Sequence, residues 1–138
     1  ALARAMRLGG ADGVYALQAA LAACHARARR FEDTDWPTIA ALYARLMQVA
    51  PSPVVELNRA VAVSRAQGAA AALPLVDALA TEPKLRDYAP LAAVRGDLLQ
   101  QVGRDAEARD AFLRAAGLTG NLRERDVMLA RAAACAGS

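Results

Sequence analysis

The sequence predicts an all-α fold of stacked antiparallel helix hairpins, and three observations support that prediction. The chain of 138 residues contains 37 alanines and 18 leucines but only 10 valines and one isoleucine, and this composition favours helices over strands. Apolar residues recur at spacings of three and four along most of the chain, as on the buried face of a helix. Glycine or proline interrupts these runs at short intervals, which indicates several helices within one ordinary domain.

The first two predicted helices are separated by an acidic break. The first runs to about Arg30, and the second begins after Asp35, whose carboxylate is suited to cap its first turn. Pro37 lies in that turn, where its missing N–H costs nothing. The apolar stripes are Val14, Leu17, Leu21 and Cys24 on the first helix, and Ile39, Leu42, Leu46 and Val49 on the second.

The third and fourth predicted helices are separated by Gly68. Ser52 and Pro53 form a helix start, with the serine as the cap and the proline at the first helical position. The fourth helix spans roughly residues 70–80, where Pro74 requires either a later start or a kink. The predicted stripes are Val54, Leu57 and Val61 on the third helix, and Leu73, Val76 and Leu79 on the fourth.

Three more helices follow a predicted linking loop at residues 82–89. They are predicted over residues 90–102, 105–116 and 121–135, with a break at residues 117–120. Asn121 and Glu124 have the spacing of a capping box at the start of the last helix. The stripe of the fifth helix is Leu91, Val94, Leu98 and Val102.

The helices also show a partial repeat. Gly68 and Gly103 lie 35 residues apart, close to the ~34-residue period of tetratricopeptide repeats. Ala108 and Phe112 have the spacing at which that repeat places a small residue and an aromatic one. The pattern predicts about three tetratricopeptide-like hairpins plus a C-terminal capping helix, and an irregular helical bundle is the alternative. Expected small contact residues are Ala60, Gly96, Ala108 and Ala115, and expected large ones are Trp36, Tyr43 and Phe112.

Stacked hairpins would share a continuous core and leave a concave surface lined by the first helix of each pair. Counting back from Gly68 and Gly103 places a set of mixed polar side chains on that surface. They are suited to binding a peptide or a neighbouring domain, although an ordinary solvated face would have the same composition. The candidate groove residues are Asn58, Arg65, Asp97, Gln100 and Gln101.

Few residues suit catalysis or metal binding. His25 is the only histidine, and we expect it to lie on the side of its helix and to form a hydrogen bond near Asp33 or Asp35. We expect Cys24 to be a buried structural thiol. Glu32 and its acidic neighbours lack the glycine and the later glutamate of a calcium loop. The sequence therefore predicts no enzyme activity, no metal and no cofactor.

Charge and apolar patterning exclude further classes. The 17 basic and 14 acidic residues give a net charge of +3, and the arginines are spread along the chain rather than clustered as in a DNA-binding protein. The longest apolar stretch, residues 69–80, is too short to cross a membrane. Two cysteines without CxxC spacing fit a reducing cytoplasm. Because the first residue is Ala1 rather than methionine, we expect a fragment of a longer protein.

Four segments carry a family resemblance. They are Val14–Ala26 (VYALQAALAACHA), Asp33–Trp36 (DTDW), Ser52–Val63 (SPVVELNRAVAV) and Arg95–Leu99 (RGDLL). In this order and over nearly the whole chain, they resemble the C-terminal extension of long-tailed extracytoplasmic-function (ECF) RNA polymerase sigma factors, whose tail is a tetratricopeptide-like domain. Asp12-Gly13-Val14 departs from the Gly-Pro that more often precedes the tyrosine in that family.

The resemblance implies that residues 1–138 form one regulatory domain and that the DNA-reading sigma regions 2 and 4 precede Ala1. The expected partners are the sigma core domains, RNA polymerase or a regulator protein, with DNA bound only through the missing regions and with no membrane or small-molecule substrate. A homo-oligomer is left open. The family-motif positions, expected to be mostly structural, are Gln18, His25, Asp35, Trp36, Asn58 and Arg59. The alternatives are a stand-alone tetratricopeptide-like adaptor and a helical enzyme fragment.

Overall fold

The structure is a computed structural model that describes residues 10–31 and 35–136. These residues form seven α-helices and one short 3-10 helix at Pro83–Leu85, and no strand occurs among them. The all-α prediction is therefore confirmed. The α-helices are α1 (Gly10–Phe31), α2 (Trp36–Val49), α3 (Pro53–Gln67), α4 (Ala69–Leu79), α5 (Ala89–Gln101), α6 (Asp105–Leu118) and α7 (Leu122–Ala136).

The chain divides into two compact units, residues 1–66 and residues 67–138. The first unit contains α1, α2 and nearly all of α3, and the second contains α4 to α7. Each unit has its own buried apolar side chains.

The core of the first unit forms where the stripes of α1 and α2 meet. Its buried residues are Leu17, Leu21, Ile39, Leu42, Leu46 and Ala62. Trp36, Tyr43 and Cys24 pack against this cluster and are half-buried. Cys24 was expected to be a buried structural thiol; it packs against the cluster but is only half-buried, because it borders the cluster rather than entering it.

The start of α2 follows the predicted capping chemistry. Asp35 Oδ1 accepts a hydrogen bond from the backbone N–H of Thr38 (3.2 Å), and Asp35 Oδ2 accepts one from the Thr38 hydroxyl (2.7 Å). A cap of this kind satisfies a backbone donor that the helix itself cannot. Pro37 occupies the second helical position, where its missing N–H has no helical partner to lose.

The buried face of α3 differs from the predicted stripe. Leu57 is buried as expected, but Val54 is exposed and Val61 is half-buried. The other buried positions are Ala60, Ala62 and Val63. Apolar residues occur around much of this helix, so spacing alone does not distinguish one face from another. α4 begins at Ala69 and continues through Pro74, which rules out the later start.

In the second unit, the turn between α5 and α6 is a Schellman motif. Gly103 has φ +84°, its N–H donates to the Gln100 carbonyl (3.1 Å), and the Arg104 N–H donates to the Leu99 carbonyl (2.9 Å). Glycine adopts this left-handed conformation without the Cβ penalty of other residues. Val102 immediately precedes the turn and is exposed, so its predicted place in the α5 stripe is wrong: the helix has already ended.

The start of α7 confirms the predicted cap and adds a third residue to it. Asn121 Oδ1 accepts from the Glu124 backbone N–H (3.1 Å). The Glu124 carboxylate accepts from the Thr119 hydroxyl (3.1 Å), and the Thr119 oxygen accepts from the Asn121 N–H (3.2 Å). α6 extends to Leu118, two residues beyond the predicted end, so Gly117 belongs to the helix and not to the break.

Candidate protein-interaction site

A groove lies between α5 and α7 in the second unit. Residues near the N-termini of both helices line one cavity, and residues near their C-termini share hydrogen bonds, so the two helices run parallel. α6 contributes to the floor. We call this feature the α5–α7 groove and define it by Ala93, Val94, Asp97, Gln100, Ala115, Glu124, Met128 and Arg131.

The C-terminal end of the α5–α7 groove is polar. Arg131 donates from one terminal nitrogen to Asp97 Oδ1 (2.8 Å) and to Gln100 Oε1 (2.9 Å). Gln101 donates from Nε2 to Asp97 Oδ2 (2.8 Å). The side chains of Arg131 and Asp97 keep 37% and 36% of their surface exposed. Their charges therefore remain accessible to a bound chain, although they already satisfy one another in part.

Arg131 also contacts the core of the unit. Its guanidinium carbon lies 4.5 Å from the centroid of the Phe112 ring, within the range of a cation–π interaction. Phe112 is completely buried, and a Cβ placed on Gly96 would lie only 2.8 Å from the ring carbons Cδ1 and Cε1. α5, α6 and α7 thus meet at this ring, and the close approach of α5 requires glycine at position 96.

The N-terminal end of the α5–α7 groove is apolar. It forms a cavity of about 190 Å³ whose walls include Val94, Met128 and Ala115, with Glu124 at the edge. Glu124 is held by the Thr119 hydroxyl. The groove thus offers an apolar depression followed by hydrogen-bonding side chains along the same two helices, an arrangement suited to an extended segment with alternating apolar and polar groups.

The five predicted groove residues are placed in both units. Asp97, Gln100 and Gln101 lie on α5, where the first two line the α5–α7 groove and Gln101 bonds Asp97. Asn58 and Arg65 lie on α3 in the first unit, both exposed. They are seven residues apart, which places them on one face of that helix.

Sequence reasoning missed Arg131 and Met128. Both lie on α7, which the sequence analysis assigned only as a capping helix. The spacing of Glu124, Met128 and Arg131 by four and three residues places them on one helical face, but this signal does not show which helix that face meets.

The family-motif positions of the first unit have local contacts. The His25 and Trp36 rings meet edge to face with centroids 6.5 Å apart, and the Arg65 guanidinium lies 5.9 Å from the Trp36 centroid. Arg59 forms an ion pair with Glu56 at 2.6 Å. Gln18 and Asn58 are exposed. His25 is exposed too, and Asp33, one of its two expected partners, lies outside the described residues.

Burial and a hydrogen bond shift the pKa values of three side chains, Tyr43, Arg104 and Glu107. Burial raises the pKa of the Tyr43 phenol, and the hydrogen bond between Arg104 and Glu107 lowers the pKa of that carboxyl and raises the pKa of the guanidinium.

Within residues 10–31 and 35–136, no three histidine, cysteine, aspartate or glutamate side chains are grouped closely enough to hold a metal. In the same part of the chain, no helix is both long and apolar enough to cross a bilayer.

Two solved tetratricopeptide domains are similar to this chain in structure. One is the first tetratricopeptide domain of Spaghetti (RPAP3) bound to the HSP90 peptide SRMEEVD, with a TM-score of 0.70 at 19% identity over 94% of this chain and 98% of that one. Another is the first such domain of human RPAP3, solved by NMR, with a TM-score of 0.70 at 19% identity over 90% of this chain and 92% of that one. The fold is therefore tetratricopeptide-like, as predicted.

In sequence, the chain is similar to a protein of Rhizobium meliloti (strain 1021) that is described as uncharacterized. The two are 52% identical over 112 residues, which make up 81% of this chain and 26% of that protein. The chain thus matches about a quarter of the length of this relative. No family model matches the chain.

Proposed function

We propose that this chain is a non-catalytic protein-interaction domain that binds an extended peptide segment of a partner protein in the α5–α7 groove. The observation that carries the proposal is the order of two regions along the groove. An apolar depression at Val94 and Met128 is followed by the accessible hydrogen-bond network of Asp97, Gln100 and Arg131. A peptide could place an apolar side chain in the depression and exchange backbone hydrogen bonds with the network.

Three further points support this function. Tetratricopeptide hairpins cannot bury their own faces and so present extended surfaces once stacked. The Spaghetti domain, which has the same fold, holds a peptide. The contact of Arg131 with the buried Phe112 ring fixes α7 against α6, which would present the groove to a ligand without large rearrangement.

The test is a selection of peptides from a display library on the purified domain, followed by calorimetry of the selected peptides. Met128→Lys places a charge in the apolar depression, and we expect it to weaken binding at least tenfold. Val127→Lys is the matched control, because its side chain is exposed on the neighbouring position of α7. Equal binding by the two variants, or a library that yields no peptide, would refute the assignment of the groove.

A second candidate function is regulation of an ECF-type sigma factor by this domain as its tail. Two observations favour it. The four segments that resemble such tails occur in the family's order, and the matched 112 residues make up only 26% of the Rhizobium relative, which leaves room for further domains there. The partner segment would then come from the sigma core domains, RNA polymerase or a regulator, inside the cytoplasm.

This candidate is tested by transcription from a reporter promoter that depends on the full-length protein. Asn58→Ala combined with Arg65→Ala should lower promoter output while the circular dichroism of the domain stays unchanged. Gln48→Ala combined with Arg109→Ala removes the same two kinds of side chain from exposed positions outside both candidate surfaces. If the two double variants give the same promoter output, the sigma-factor proposal fails.

A further inference from the structure

A second concavity lies on the opposite side of α5. Successive residues of an α-helix are rotated by about 100°, so Leu91, Ala92 and Arg95 face away from the side that lines the α5–α7 groove. Together with the end of α4, the 3-10 segment and α6, these residues line an open cavity of about 230 Å³. Its lining is Ala80, Leu85, Arg86, Tyr88, Leu91, Ala92, Arg95, Ala111 and Arg114.

The floor of this cavity is apolar. Leu85 and Leu91 are exposed to 3% and 6%, and Ala92 and Ala111 are buried. Leu85 belongs to the 3-10 helix that breaks the linker between α4 and α5, so a segment expected to be a simple loop supplies part of the floor. An apolar body placed here would be shielded from water on several sides.

The rim of the cavity is cationic. Three of the nine lining residues are arginines, and none is acidic. Arg114 donates to the backbone carbonyl of Arg86 (2.7 Å), which is an uncharged partner. Arg95 donates through Nε to Asp77 (3.0 Å), and this ion pair orients its guanidinium beside the cavity. Among the described residues, no carboxylate forms an ion pair with Arg86 or Arg114.

The size of the cavity limits what it can hold. Its volume is about 230 Å³. It is smaller than the ~300–1,000 Å³ of a typical site for a drug-sized ligand. A single compact apolar group fills it, and the charged group of such a ligand would then stand at the arginine rim.

We propose that this cavity binds a small carboxylate with a compact apolar body, such as a benzyl group. The body occupies the floor between Leu85 and Leu91, and the carboxylate accepts hydrogen bonds from Arg86 and Arg114. Guanidinium groups suit this anion because their planar donors match the two oxygens of a carboxylate. The same chemistry is offered by a free metabolite-sized acid and by the C-terminus of a partner chain that ends in an apolar residue.

The first experiment is an NMR titration of the purified chain with phenylacetate. Phenylacetamide and acetate are the controls, since the amide lacks the charge and acetate lacks the apolar body. We expect saturable shifts of the Leu85 and Leu91 methyl signals with phenylacetate, and at least tenfold weaker binding of both controls. A short peptide ending in phenylalanine, compared with its C-terminal amide, distinguishes a chain terminus from a free acid as the preferred source.

Three variants test the assigned contacts. Arg114→Gln and Arg86→Gln each remove one proposed charged donor, and we expect each to weaken phenylacetate binding roughly tenfold. Arg109→Gln lowers the net charge equally from an exposed position of α6 outside the cavity and should leave binding unchanged. Ala80→Leu fills the cavity from its exposed edge without a change of charge, and we expect it to abolish binding.

Several results would overturn the proposal. They are the absence of a saturable shift up to the solubility limit of phenylacetate, equal binding of phenylacetamide, and equal losses for Arg109→Gln and Arg114→Gln. Thermal unfolding of each variant separates a lost contact from a lost fold, since Arg114→Gln also removes the bond to the Arg86 carbonyl. Should Arg114→Gln unfold, Arg86→Gln and Ala80→Leu decide the outcome.

Discussion

The substitution Gly96→Ala tests the contact between α5 and the buried Phe112 ring, because helix propensity and the contact change the free energy of unfolding in opposite directions. In a helix interior, this replacement alone stabilises by about 1 kcal/mol, because alanine has the higher helix propensity. At position 96 the new Cβ would meet Cδ1 and Cε1 of Phe112 at 2.8 Å. The ring is fully buried and touches Arg131, so it has little room to move. Overpacking of this kind costs about 1–3 kcal/mol.

The matched control is Gly117→Ala. Gly117 lies inside α6, and nothing is within 4 Å of a Cβ added there, so the substitution should be neutral or stabilise the protein by up to about 1 kcal/mol. The free energies of unfolding of the two variants should therefore differ by about 1–3 kcal/mol, with Gly96→Ala the less stable.

The assay is urea denaturation followed by far-ultraviolet circular dichroism. The fluorescence of Trp36, the only tryptophan, reports the unfolding of the first unit in the same titration. Neither substitution lies in that unit. A double-mutant cycle with Phe112→Leu then isolates the contact, because the smaller side chain should reduce the cost of Gly96→Ala. The reasoning is refuted if Gly96→Ala and Gly117→Ala agree within about 0.5 kcal/mol, or if Phe112→Leu leaves the cost unchanged.

Four other predictions concern side chains in both units. Phe112→Ala should destabilise the second unit by about 3–5 kcal/mol in urea denaturation, and a negligible loss would contradict its place in the core. Arg131→Met, which keeps most of the alkyl packing, should cost about 1–2 kcal/mol through the lost ion pair and cation–π contact. Asp35→Ala should cost about 0.5–2 kcal/mol by removing the α2 cap, whereas Asp35→Asn should cost less because an acceptor remains. Burial raises the Tyr43 pKa above its ordinary value of 10.0. The protonated Tyr43 phenol therefore contributes fully to the free energy of unfolding below that pH, and this contribution is lost as the pH rises further. Tyr43→Phe should reduce the loss of stability seen in alkaline titration.

The polar residues on α5 in the candidate site could be predicted from their spacing in the sequence, but their partner on α7 could not. Asp97 and Gln100 were predicted because they lie on one face of a helix that ends at a recognisable turn. Arg131, which binds both, lies 34 and 31 residues further along the chain. Its contacts depend on where α7 packs, and no local pattern specifies that position. The arginine-rimmed cavity is similar, since Arg114 bonds a carbonyl 28 residues away.

The sequence by itself determined the helices, most of their ends and the small residues at their contacts. Asp35, Gly103 and Asn121 act on backbone groups within a few residues of themselves, so their effects are written in the local sequence. Only the tertiary structure decided which face of α3 is buried and which side chains of α5 and α7 meet. The physical reason is that a helix such as α3 carries apolar residues around much of its circumference, and the packing of its neighbours selects the face that is buried.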